Sequence, residues 1–589
     1  MIKDSRNKTI FRILKLAKPH KVLFTGFILC IIFTAFLDSL GTYITKSIID
    51  EGILAGSLEQ VIYFCKLYGL TYLINSLSFF GFIYCAGRLA EQIQYDLREK
   101  LFNHIQELSF SFFDKSSSGW LLSRITSDTT KIADLVSWML LDSVWGFFNI
   151  TISLIFMAKI NLKLAGIMAL ILPALVFTAF KFKTHILGEY RKVRSINSKI
   201  TAAYNENFTG VKIVKALTRE KQNLRNFGGL TGDMYNTSFR AAWLSALFLP
   251  AVQLIITFAL GAILWFGGFQ IQLGEMTIGG LRAFIGYITF MLWPIQELAR
   301  VFSEMQQSIA GAERVFGLLD TESEIQDKKG AEDEASFQGE IEFKDVVFHY
   351  KEDNPILSEF NLQINPGETI AIVGPTGGGK TTIASLISRY YEPVSGRILI
   401  DGRDYRDYTQ KALQGRIGVV LQKPHLFSGT IRENIEYGKP GATEDEIVYA
   451  AKTAHSYGMI TGLPNGWDEL VGEEGTLLSQ GQKQLISLTR AILASPDILI
   501  MDEATSSIDT LTEKNIQQGI AALLAGRTSI IIAHRLSTIK DADRILVVQD
   551  GKITESGTHA GLLKEKGHYY GLYTSQFRKE RTATIGLLD

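Results

Sequence analysis

The stretch Gly374-Pro375-Thr376-Gly377-Gly378-Gly379-Lys380-Thr381-Thr382 decides the fold of the second half of the chain. It follows a buried strand, GETIAIVG at 367–374, and precedes a helical run, so G-x-x-x-x-G-K-[ST] lies in its strand–loop–helix context. Glycines let successive backbone N–H groups turn toward phosphate oxygens, and the helix adds its positive dipole end. The sequence predicts a phosphate-binding loop, with Lys380 on the β- and γ-phosphates and Thr381 on Mg²⁺.

A second apolar strand, 497–503 (DILIMDE), ends in two carboxylates. An apolar strand rarely ends in paired acids without a use for them, although ordinary solvation of a strand end is the alternative. Asp502 is expected to hold Mg²⁺ through its water shell. Glu503 is expected to orient or deprotonate the attacking water, a role that contributes about 10²–10⁴-fold.

The composition separates two halves of the chain of 589 residues, which is long enough for several domains. Sixty Lys and Arg residues balance 60 Asp and Glu residues, which argues against a general nucleic-acid binder. Cys30, Cys65 and Cys85 lie in apolar stretches without metal-ligand spacing, so we expect no disulfide framework. Residues 241–274 contain no Asp, Glu, Lys or Arg. We therefore expect a membrane half followed by a soluble half.

Helices of about 20 apolar residues can cross the hydrocarbon core of a bilayer. The candidate spans are Val22–Thr45, Leu67–Gly87, Leu135–Ala158, Leu164–Phe180, Ala241–Gly268 and Thr277–Ala299. The first is interpreted as a retained span, since it exceeds a typical signal-peptide core and no small-x-small cleavage site follows. A mitochondrial transit peptide is the weaker alternative.

Basic residues are distributed unevenly among the connections. The leader and two long connections, about Arg88–Asp134 and Lys181–Arg240, are rich in Lys and Arg, whereas Phe269–Met276 has neither. The positive-inside rule predicts that both termini and both long connections are cytosolic. The leader Thr9–Lys21 is predicted to form an amphipathic helix on the inner membrane face, with a plain basic tail as the alternative.

The polar, acidic stretch Asp320–Gln338 is predicted to be an inter-domain linker. The predicted domain limits are 1–320 for a transmembrane domain with an elbow helix, 321–338 for the linker, 339–580 for a nucleotide-binding domain and 581–589 for a C-terminal tail.

Together these features resemble an ABC exporter half-transporter, of type IV and similar to the B subfamily, over nearly the whole chain. The most specific element is Leu478-Ser479-Gln480-Gly481-Gln482, which is close to the family signature LSGGQ and precedes Asp502 by 20 residues. The resemblance implies a six-helix transmembrane domain followed by an α/β P-loop nucleotide-binding domain. It also implies ATP and Mg²⁺ as cofactors, and a site shared between the P-loop of one domain and the signature of another.

The family elements can be placed on this sequence one at a time. Tyr350 is expected to stack on adenine, and Gln422 to contact Mg²⁺ and the attacking water. His534 resembles the switch histidine, and Ser507–Asp509 resembles the D-loop. The resemblance thus assigns catalysis to Glu503, His534 and Gln422, metal binding to Thr381, Gln422 and Asp502, and nucleotide binding to Tyr350, Gly374, Pro375, Thr376, Gly377, Gly378, Gly379, Lys380, Thr381, Thr382, Asp502, Ser479, Gly481 and Gln482.

Three weaker matches concern communication with the membrane. Leu470–Gly475 lies just before the signature, where exporters have a transmission loop. Phe112–Gly119 and Glu206–Gly210 resemble stretches near the intracellular coupling helices, and both lie in the long connections expected in the cytosol.

One residue departs from the family pattern. Gln480 stands where the signature has glycine, and its side chain would crowd the bare N–H that approaches the γ-phosphate. With Lys380, Glu503 and His534 intact, this combination resembles the active-site half of a heterodimeric exporter. The partner is therefore expected to be a second half-transporter, with a homodimer that tolerates glutamine as the alternative.

The candidate spans also offer features for substrate binding. Asp38, Asp142 and Glu297 could attract cationic substrates, or could pair with Arg282 or Lys66, or lie nearer water. Aromatic residues that could line an apolar site, or simply pack, are Trp138, Trp145, Phe147, Phe148, Phe284, Tyr287, Phe290 and Trp293.

The expected function is ATP-driven efflux of hydrophobic or amphipathic compounds, of the multidrug type, across a bacterial cytoplasmic membrane. A lipid or peptide exporter is the alternative within transport. An ATP-gated channel or regulator and a soluble mechanical or DNA-repair ATPase are rivals from other classes, and an importer is disfavoured because the fused order resembles exporters. The expected partners are a hydrophobic substrate and the bilayer, without nucleic acid.

Overall fold

The computed structural model describes residues 2–351, 354–502, 510–532 and 539–574. It divides into two compact units, which comprise Met1–Glu107 with Ser116–Glu322, and Leu108–Lys115 with Ser323–Asp589. The first unit is all-α, and the second contains the β-strands. This arrangement confirms the predicted fold class.

Long helices dominate the chain up to Leu319. The helices of this part of the chain, long and short, are α1 Ile2–Lys15, α2 Lys21–Ser47, α3 Leu58–Gln106, α4 Phe110–Lys115, α5 Ser118–Ser123, α6 Thr129–Asp134, α7 Leu140–Ile160, α8 Leu162–Thr209, α9 Val211–Ala216, α10 Glu220–Gln272 and α11 Ile278–Leu319. Among the described residues, six helical stretches are long and apolar enough to cross a membrane: Lys18–Ile53, Leu58–Gln106, Ser118–Ile160, Leu162–Thr209, Glu220–Gln272 and Ile278–Ile295. The first five contain the predicted spans, and the sixth begins one residue after its predicted start.

Side-chain caps explain where three of these helices begin. The Oγ of Ser57 accepts a hydrogen bond from the backbone N–H of Gln60 at the start of α3. Asn161 caps α8 in the same way, and Thr277 caps α11. Each cap satisfies a backbone donor that the first turn of a helix leaves free, so these polar residues mark the short connections between apolar runs.

The first unit is held by apolar side chains between its helices. One cluster joins α2 to α3 through buried residues that include Phe27, Ile31 and Phe82. A larger cluster joins α7, α8, α10 and α11, and it contains Phe284 and Tyr287, both fully buried. These two aromatic residues pack within the chain, as the packing alternative predicted, and the Tyr287 hydroxyl donates to the Ser39 carbonyl at 2.9 Å.

The acidic residues of the spans have partners that the sequence did not indicate. Asp142 accepts a hydrogen bond from Arg300 at 2.8 Å, and Glu297 pairs with the same arginine. The expectation that these acids could pair with Arg282 or Lys66 is therefore wrong for both. Asp38 instead accepts a hydrogen bond from the Asn75 amide at 2.8 Å. The correct partners come from other helices or from beyond the predicted end of the sixth span, so spacing within one span could not reveal them.

The second unit contains two β-sheets. Its strands are β1 Ile341–Lys351, β2 Asn354–Ile364, β3 Thr369–Val373, β4 Ser395–Ile400, β5 Arg403–Asp404, β6 Ile417–Val420, β7 Ile498–Asp502, β8 Thr528–Ile532, β9 Arg544–Gln549 and β10 Lys552–Gly557. The smaller sheet has the order β2-β1-β4-β5 and is antiparallel. The larger sheet has the order β10-β9-β3-β8-β7-β6 and is parallel except for β10.

Helices complete the second unit around the larger sheet. They are α12 Lys380–Ile387, α13 Gln410–Gln414, α14 Ile431–Glu436, α15 Glu444–Thr453, α16 Tyr457–Thr461, α17 Gln480–Ala494, α18 Thr510–Leu524 and α19 His559–Glu565. Strands β3, β7 and β8 are mostly apolar and almost wholly buried, as expected when both faces of a parallel sheet are covered.

Most of the predicted linker contacts the second unit. The Asp327 carboxylate accepts hydrogen bonds from the buried Arg389 guanidinium at 3.3 Å and from the backbone N–H of Gln410 at 2.9 Å. The carbonyl of Glu332 accepts from the Thr409 backbone at 2.9 Å. The acidic composition of this segment thus serves specific pairing as well as solvation.

Candidate nucleotide-binding site

Three parts of the predicted site follow parallel strands at the carboxyl edge of the larger sheet. The P-loop follows β3, Asp502 ends β7, and Gln422 comes two residues after β6. Because parallel strands end at the same edge, this topology brings together residues up to 128 positions apart in the sequence. Glu503, Ser507–Asp509 and His534 follow β7 and β8 and lie outside the described residues.

The backbone of the P-loop requires glycine at particular positions. Gly374 has φ +147° and Gly379 has φ +102°, in a region that side chains disfavour. A Cβ at Gly374 would collide with the Val548 carbonyl oxygen of β9, so the loop lies directly against the neighbouring strand. Gly379 also forms the N-terminal cap of α12 without a side-chain hydrogen bond. The loop can therefore present N–H groups and a helix N-terminus to an anion.

Lys380 lies inside the curve of this loop. Its Nζ donates hydrogen bonds to the carbonyl oxygens of Gly374 and Pro375, both at 2.8 Å, and the residue is only 8% exposed. Burial lowers the pKa of Lys380, and the nearby Asp502 carboxylate opposes that shift. The hydrogen-bond partners of this buried ammonium are two neutral carbonyls. A phosphate group would stabilise its charge strongly, so Lys380 fits a bound nucleotide.

The residues expected at Mg²⁺ are consistent with its usual coordination. Thr381 and Gln422 are exposed, and Asp502 is partly exposed. The described residues contain no group of three or more His, Cys, Asp or Glu side chains that could hold a metal by themselves. Mg²⁺ commonly retains waters and binds through one or two protein ligands plus substrate phosphates. The donor set therefore suits an ion that arrives with the nucleotide.

Tyr350, expected on adenine, stands at the end of β1 beside the P-loop helix. Its hydroxyl lies 3.3 Å from the Thr382 hydroxyl, and its ring contacts the edge of Phe348 at 4.9 Å between centroids. The residue is 45% exposed, which leaves part of the ring free for stacking. This geometry places an aromatic surface near the helix that begins with Lys380.

The signature residues begin a different helix of the unit. Ser479 is the N-terminal cap of α17, and its hydroxyl accepts from the Gln482 N–H at 3.3 Å. The side-chain oxygen of Gln482 in turn accepts a hydrogen bond from the Ser479 N–H at 2.8 Å, which completes a capping box. Gln480 is exposed at the first position of the helix, and Gly481 is buried behind it. The start of α17 is therefore a capped helix N-terminus with the Gln480 side chain exposed.

The segment before the signature contacts the loop that leads into α14. Val471 donates to the Gly429 carbonyl at 3.0 Å, and Ile431 donates to the Glu469 carbonyl at 3.0 Å. The Lys483 ammonium of α17 bonds the Glu474 carbonyl at 2.9 Å. These contacts join the predicted transmission loop to the signature helix.

Sequence reasoning missed Arg490, which supports the segment after Gln422. Its guanidinium donates to the carbonyl and side-chain oxygens of Asn434 at 2.8 and 2.9 Å and to the His425 carbonyl at 3.2 Å. Burial lowers the pKa of Arg490. No local pattern could have identified this contact, because Asn434 precedes Arg490 by 56 positions.

Comparisons with known proteins agree with this architecture. Residues 24–295 match the family model described as the ABC transporter transmembrane region, and residues 357–506 match the model described as ABC transporter. An ATP-dependent lipid A-core flippase from Syntrophus aciditrophicus is 36% identical over 575 residues, which cover 97% of this chain and 95% of that protein. A fatty acid ABC transporter ATP-binding/permease protein from Mycobacterium tuberculosis is 40% identical over 474 residues, with coverage of 80% and 75%.

The fold also resembles a solved structure. A bacterial Atm1-family ABC exporter with ATP bound superposes with a TM-score of 0.76 at 29% identity, over 94% of this chain and 98% of that one. A six-span helical unit joined to a P-loop unit with a signature helix defines a membrane-embedded ATPase. The chain belongs to the ABC transporter family, as an exporter half-transporter with fused transmembrane and nucleotide-binding domains.

Family membership fixes the general activity. The chain is an integral membrane protein with six spans, its nucleotide-binding domain binds ATP, and its ATPase activity is coupled to export. ABC half-transporters dimerise.

Proposed function

We propose that this chain exports amphipathic compounds across a bacterial cytoplasmic membrane. The observation that carries the proposal is a cavity of about 360 Å³ in the first unit, whose lining includes Trp138, Met139, Asp142, Arg300 and Glu304. It combines an indole and a thioether with charged groups, and its volume lies within the range for small-molecule sites. Three carboxylates of the lining, Asp134, Asp142 and Glu304, outnumber its two cations, Lys131 and Arg300, so the cavity suits a ligand with an apolar body and a cationic head.

An aromatic group extends the apolar surface of α7 and α11. The Trp145 ring contacts Trp293 at 5.3 Å and Phe290 at 5.9 Å, both edge to face. Trp293 is 49% exposed, which leaves apolar area for a substrate, lipid or partner helix. We propose that this group belongs to the transport pathway, unlike the buried Phe284 and Tyr287.

A lipid is the second candidate substrate, and a different observation favours it. The two relatives reported above are named for lipid A-core and fatty acid transport, and both substrates are amphipathic. An acyl chain would suit the same aromatic surface, whereas an anionic headgroup would have to pair with Arg300 or Lys131 in the cavity lining.

We propose the catalytic roles that the family resemblance assigns, and the residues that follow β3, β6 and β7 support part of them. Lys380 and the P-loop N–H groups bind the phosphates, Tyr350 stacks on the base, and Thr381, Asp502 and Gln422 would hold Mg²⁺ with waters between. The ion, when bound, neutralises developing charge on the phosphates. Glu503 orients or deprotonates the attacking water, and His534 contacts the γ-phosphate region. Closure of two nucleotide-binding domains would then drive alternating access.

The partner and the orientation are also proposals. We propose that Gln480 weakens the site that this chain's signature completes, so that a second, different half-transporter supplies the better signature. The basic leader and the basic long connections support cytosolic termini.

The first experiment measures ATP hydrolysis by the chain purified alone in nanodiscs, together with its oligomeric mass. Glu503→Gln is expected to lower turnover by about 100-fold or more while retaining ATP binding, and near-normal turnover would remove Glu503 from this role. The single variant Gln480→Gly is expected to have an ATP turnover about threefold to tenfold higher than the wild type, because glycine leaves the backbone N–H free of a side chain that crowds the phosphate.

The outcomes separate the two partner hypotheses. A silent dimer or a monomer that Gln480→Gly activates or assembles would support a missing partner signature. A stable dimer with full Glu503-dependent turnover, unchanged by Gln480→Gly, would establish a homodimer that tolerates glutamine.

A transport assay separates the substrate classes. ATP-dependent uptake of a fluorescent amphipathic cation into inside-out vesicles is expected, with Asp142→Asn lowering its affinity and the exposed Glu275→Gln serving as the charge-matched control. Movement of a labelled phospholipid without movement of the cation would instead support the lipid candidate.

A further inference from the structure

The short helix α4 belongs to the nucleotide-binding unit, although it follows the membrane-spanning α3 by only a few residues. The Phe110 ring stacks on Tyr390 at 4.2 Å between centroids, with 22° between the ring planes. The Lys115 ammonium pairs with the Glu324 carboxylate at 3.0 Å. The first contact holds α4 against the segment that follows the P-loop helix α12, and the second joins α4 to the segment that precedes β1.

Tyr391 in that segment contacts α4 and Tyr350 at the same time. Its hydroxyl donates a hydrogen bond to the Asp114 carboxylate of α4. Its ring meets the Tyr350 ring edge to face at 5.1 Å and the Phe348 ring at 5.6 Å. Burial and the Asp114 carboxylate raise the pKa of Tyr391, so the phenol keeps its proton and remains a donor.

Tyr350 is held by few contacts besides this one. Phe348 supports one edge of its ring, and the Thr382 hydroxyl lies near its phenol oxygen. The ring also borders a cavity of about 520 Å³, whose other lining residues include Asp114, Glu324 and Tyr391. Because open space lies beside this partly exposed ring, its orientation depends on the neighbours that remain. Among the residues that the structure describes, Phe348 and Tyr391 are the two aromatic residues that contact it.

We propose that Tyr391 is a positioning residue for the nucleobase, and that the Asp114–Tyr391 hydrogen bond makes the placement of Tyr350 depend on helix α4. The inference rests on the proposed role of Tyr350 in stacking on adenine. Tyr391 touches no phosphate or base itself; it acts through the Tyr350 ring.

The arrangement has a thermodynamic consequence. If α4 must occupy one position for Tyr391 to hold Tyr350, base binding favours that position of α4, and α4 in that position favours base binding to the same degree. The base of the nucleotide, and not the phosphates alone, then contributes to the coupling between nucleotide binding and the position of α4. A nucleotide whose base stacks weakly should bind with little dependence on Asp114.

The test uses conservative substitutions in the full-length protein in nanodiscs. Tyr391→Phe keeps the ring and removes the hydroxyl. It is expected to raise KM for ATP about threefold to tenfold, the range of one misplaced aromatic contact, with kcat changed less than about twofold. Asp114→Asn should have a similar effect, and the double variant should exceed neither single variant by more than about twofold.

The neighbouring tyrosine supplies a matched control. Tyr390→Phe also removes a phenol hydroxyl beside α4, but that hydroxyl makes no hydrogen bond to the residues that the structure describes, and the stacking on Phe110 is kept. We expect its KM for ATP to match the wild type. With UTP, whose pyrimidine offers less stacking area, Tyr391→Phe should change KM less than about twofold.

The variant Tyr350→Ala separates this inference from the proposed site. If Tyr350→Ala raises KM for ATP but Tyr391→Phe and Asp114→Asn do not, the inference is overturned and the role of Tyr350 stands. If Tyr350→Ala leaves KM unchanged, the role of Tyr350 fails and the inference fails with it. Equal changes for ATP and UTP, or fully additive effects of the two single variants, would show a general structural role and would also overturn it.

Discussion

The P-loop edge of the nucleotide-binding unit and the ionic contacts of the membrane unit both hold charges that burial would penalise, but the chain assembles them differently. Lys380 bonds carbonyls that precede it by five and six positions. The Asp128 carboxylate, only 1% exposed, accepts hydrogen bonds from Arg314, which lies 186 positions away, at 2.7 and 3.0 Å. The contacts of Lys380 lie within one contiguous motif. The contacts of Asp128 with Arg314 form only after α11 packs beside the preceding helices.

This difference determines whether each charge is compensated by the folded chain or by a bound ligand. Lys380 has two neutral carbonyls as partners and gains most when an anion binds, so its charge serves ligand binding. Asp128 also contacts Arg124 at 2.8 Å and Lys131 at 3.7 Å, so the folded chain already compensates its charge. Substitutions at the first site should therefore affect activity more than stability, and substitutions at the second should do the reverse.

The largest effect is expected for Lys380→Met. Loss of the ammonium removes a direct contact to the phosphates, so ATP hydrolysis should fall by about 100-fold or more. The unfolding midpoint should change little, because methionine fills similar space and the two loop carbonyls remain near solvent at the P-loop. Lys552→Met, at the exposed start of β10, is the control and should retain both activity and stability. Parallel loss of stability and activity in Lys380→Met would break the distinction.

The next effect is expected for Arg314→Met, which leaves the buried Asp128 with two of its three cationic partners. We expect a loss of about 2–3 kcal/mol in the free energy of unfolding, since a charged acceptor loses two hydrogen bonds. The matched comparison is Lys163→Met, because Lys163 pairs with Glu275 at 2.9 Å but the two side chains are 72% and 47% exposed. That substitution should cost less than about 1 kcal/mol. Thermal unfolding in nanodiscs compares them, and equal losses would contradict the argument.

The same distinction explains how far the sequence could be read. The P-loop, the signature and the end of β7 carry their chemistry in adjacent residues, so their presence and the fold class could be predicted. The six spans followed from apolar length alone, because a bilayer requires about 20 such residues. The roles of Glu503 and His534 remain sequence predictions, since both lie outside the described residues.

Pairings between distant elements could not be predicted in the same way. The partners of Asp142 and Glu297 were wrong because Arg300 follows the predicted sixth span and reaches α7 only in the folded unit. Tyr391 belongs to no motif that we identified in the sequence. Its proposed role in positioning Tyr350 appears only when β1, the segment after α12 and helix α4 meet. Local patterns specify groups that act on a ligand, whereas the residues that position those groups depend on tertiary contacts.

The smallest effect concerns the exposed pair between Arg12 of α1 and Asp320 at the end of α11, joined by contacts of 2.6 and 2.9 Å. Their side chains are 43% and 56% exposed, so solvent screens the pair and Asp320→Asn should cost less than about 1 kcal/mol at pH 7. The hydrogen bond from Arg12 holds the pKa of Asp320 below its ordinary value. For a lowered pKa, the stabilisation is complete above the unfolded-state value of about 3.9 and is lost as the pH falls through the folded-state value.

The stability difference between wild type and Asp320→Asn should therefore be constant from pH 7 to about pH 5 and should shrink below about pH 4. Arg12→Gln provides the contrast, because the Arg12 guanidinium also lies 4.2 Å from the centre of the Phe316 ring. That cation–π contact does not depend on the ionisation of Asp320, so part of the Arg12→Gln effect should persist in acid. Unfolding midpoints measured across this pH range would test both. A difference for Asp320→Asn that grew on acidification would contradict the assignment, because it would require the carboxyl to stabilise the fold in its protonated form.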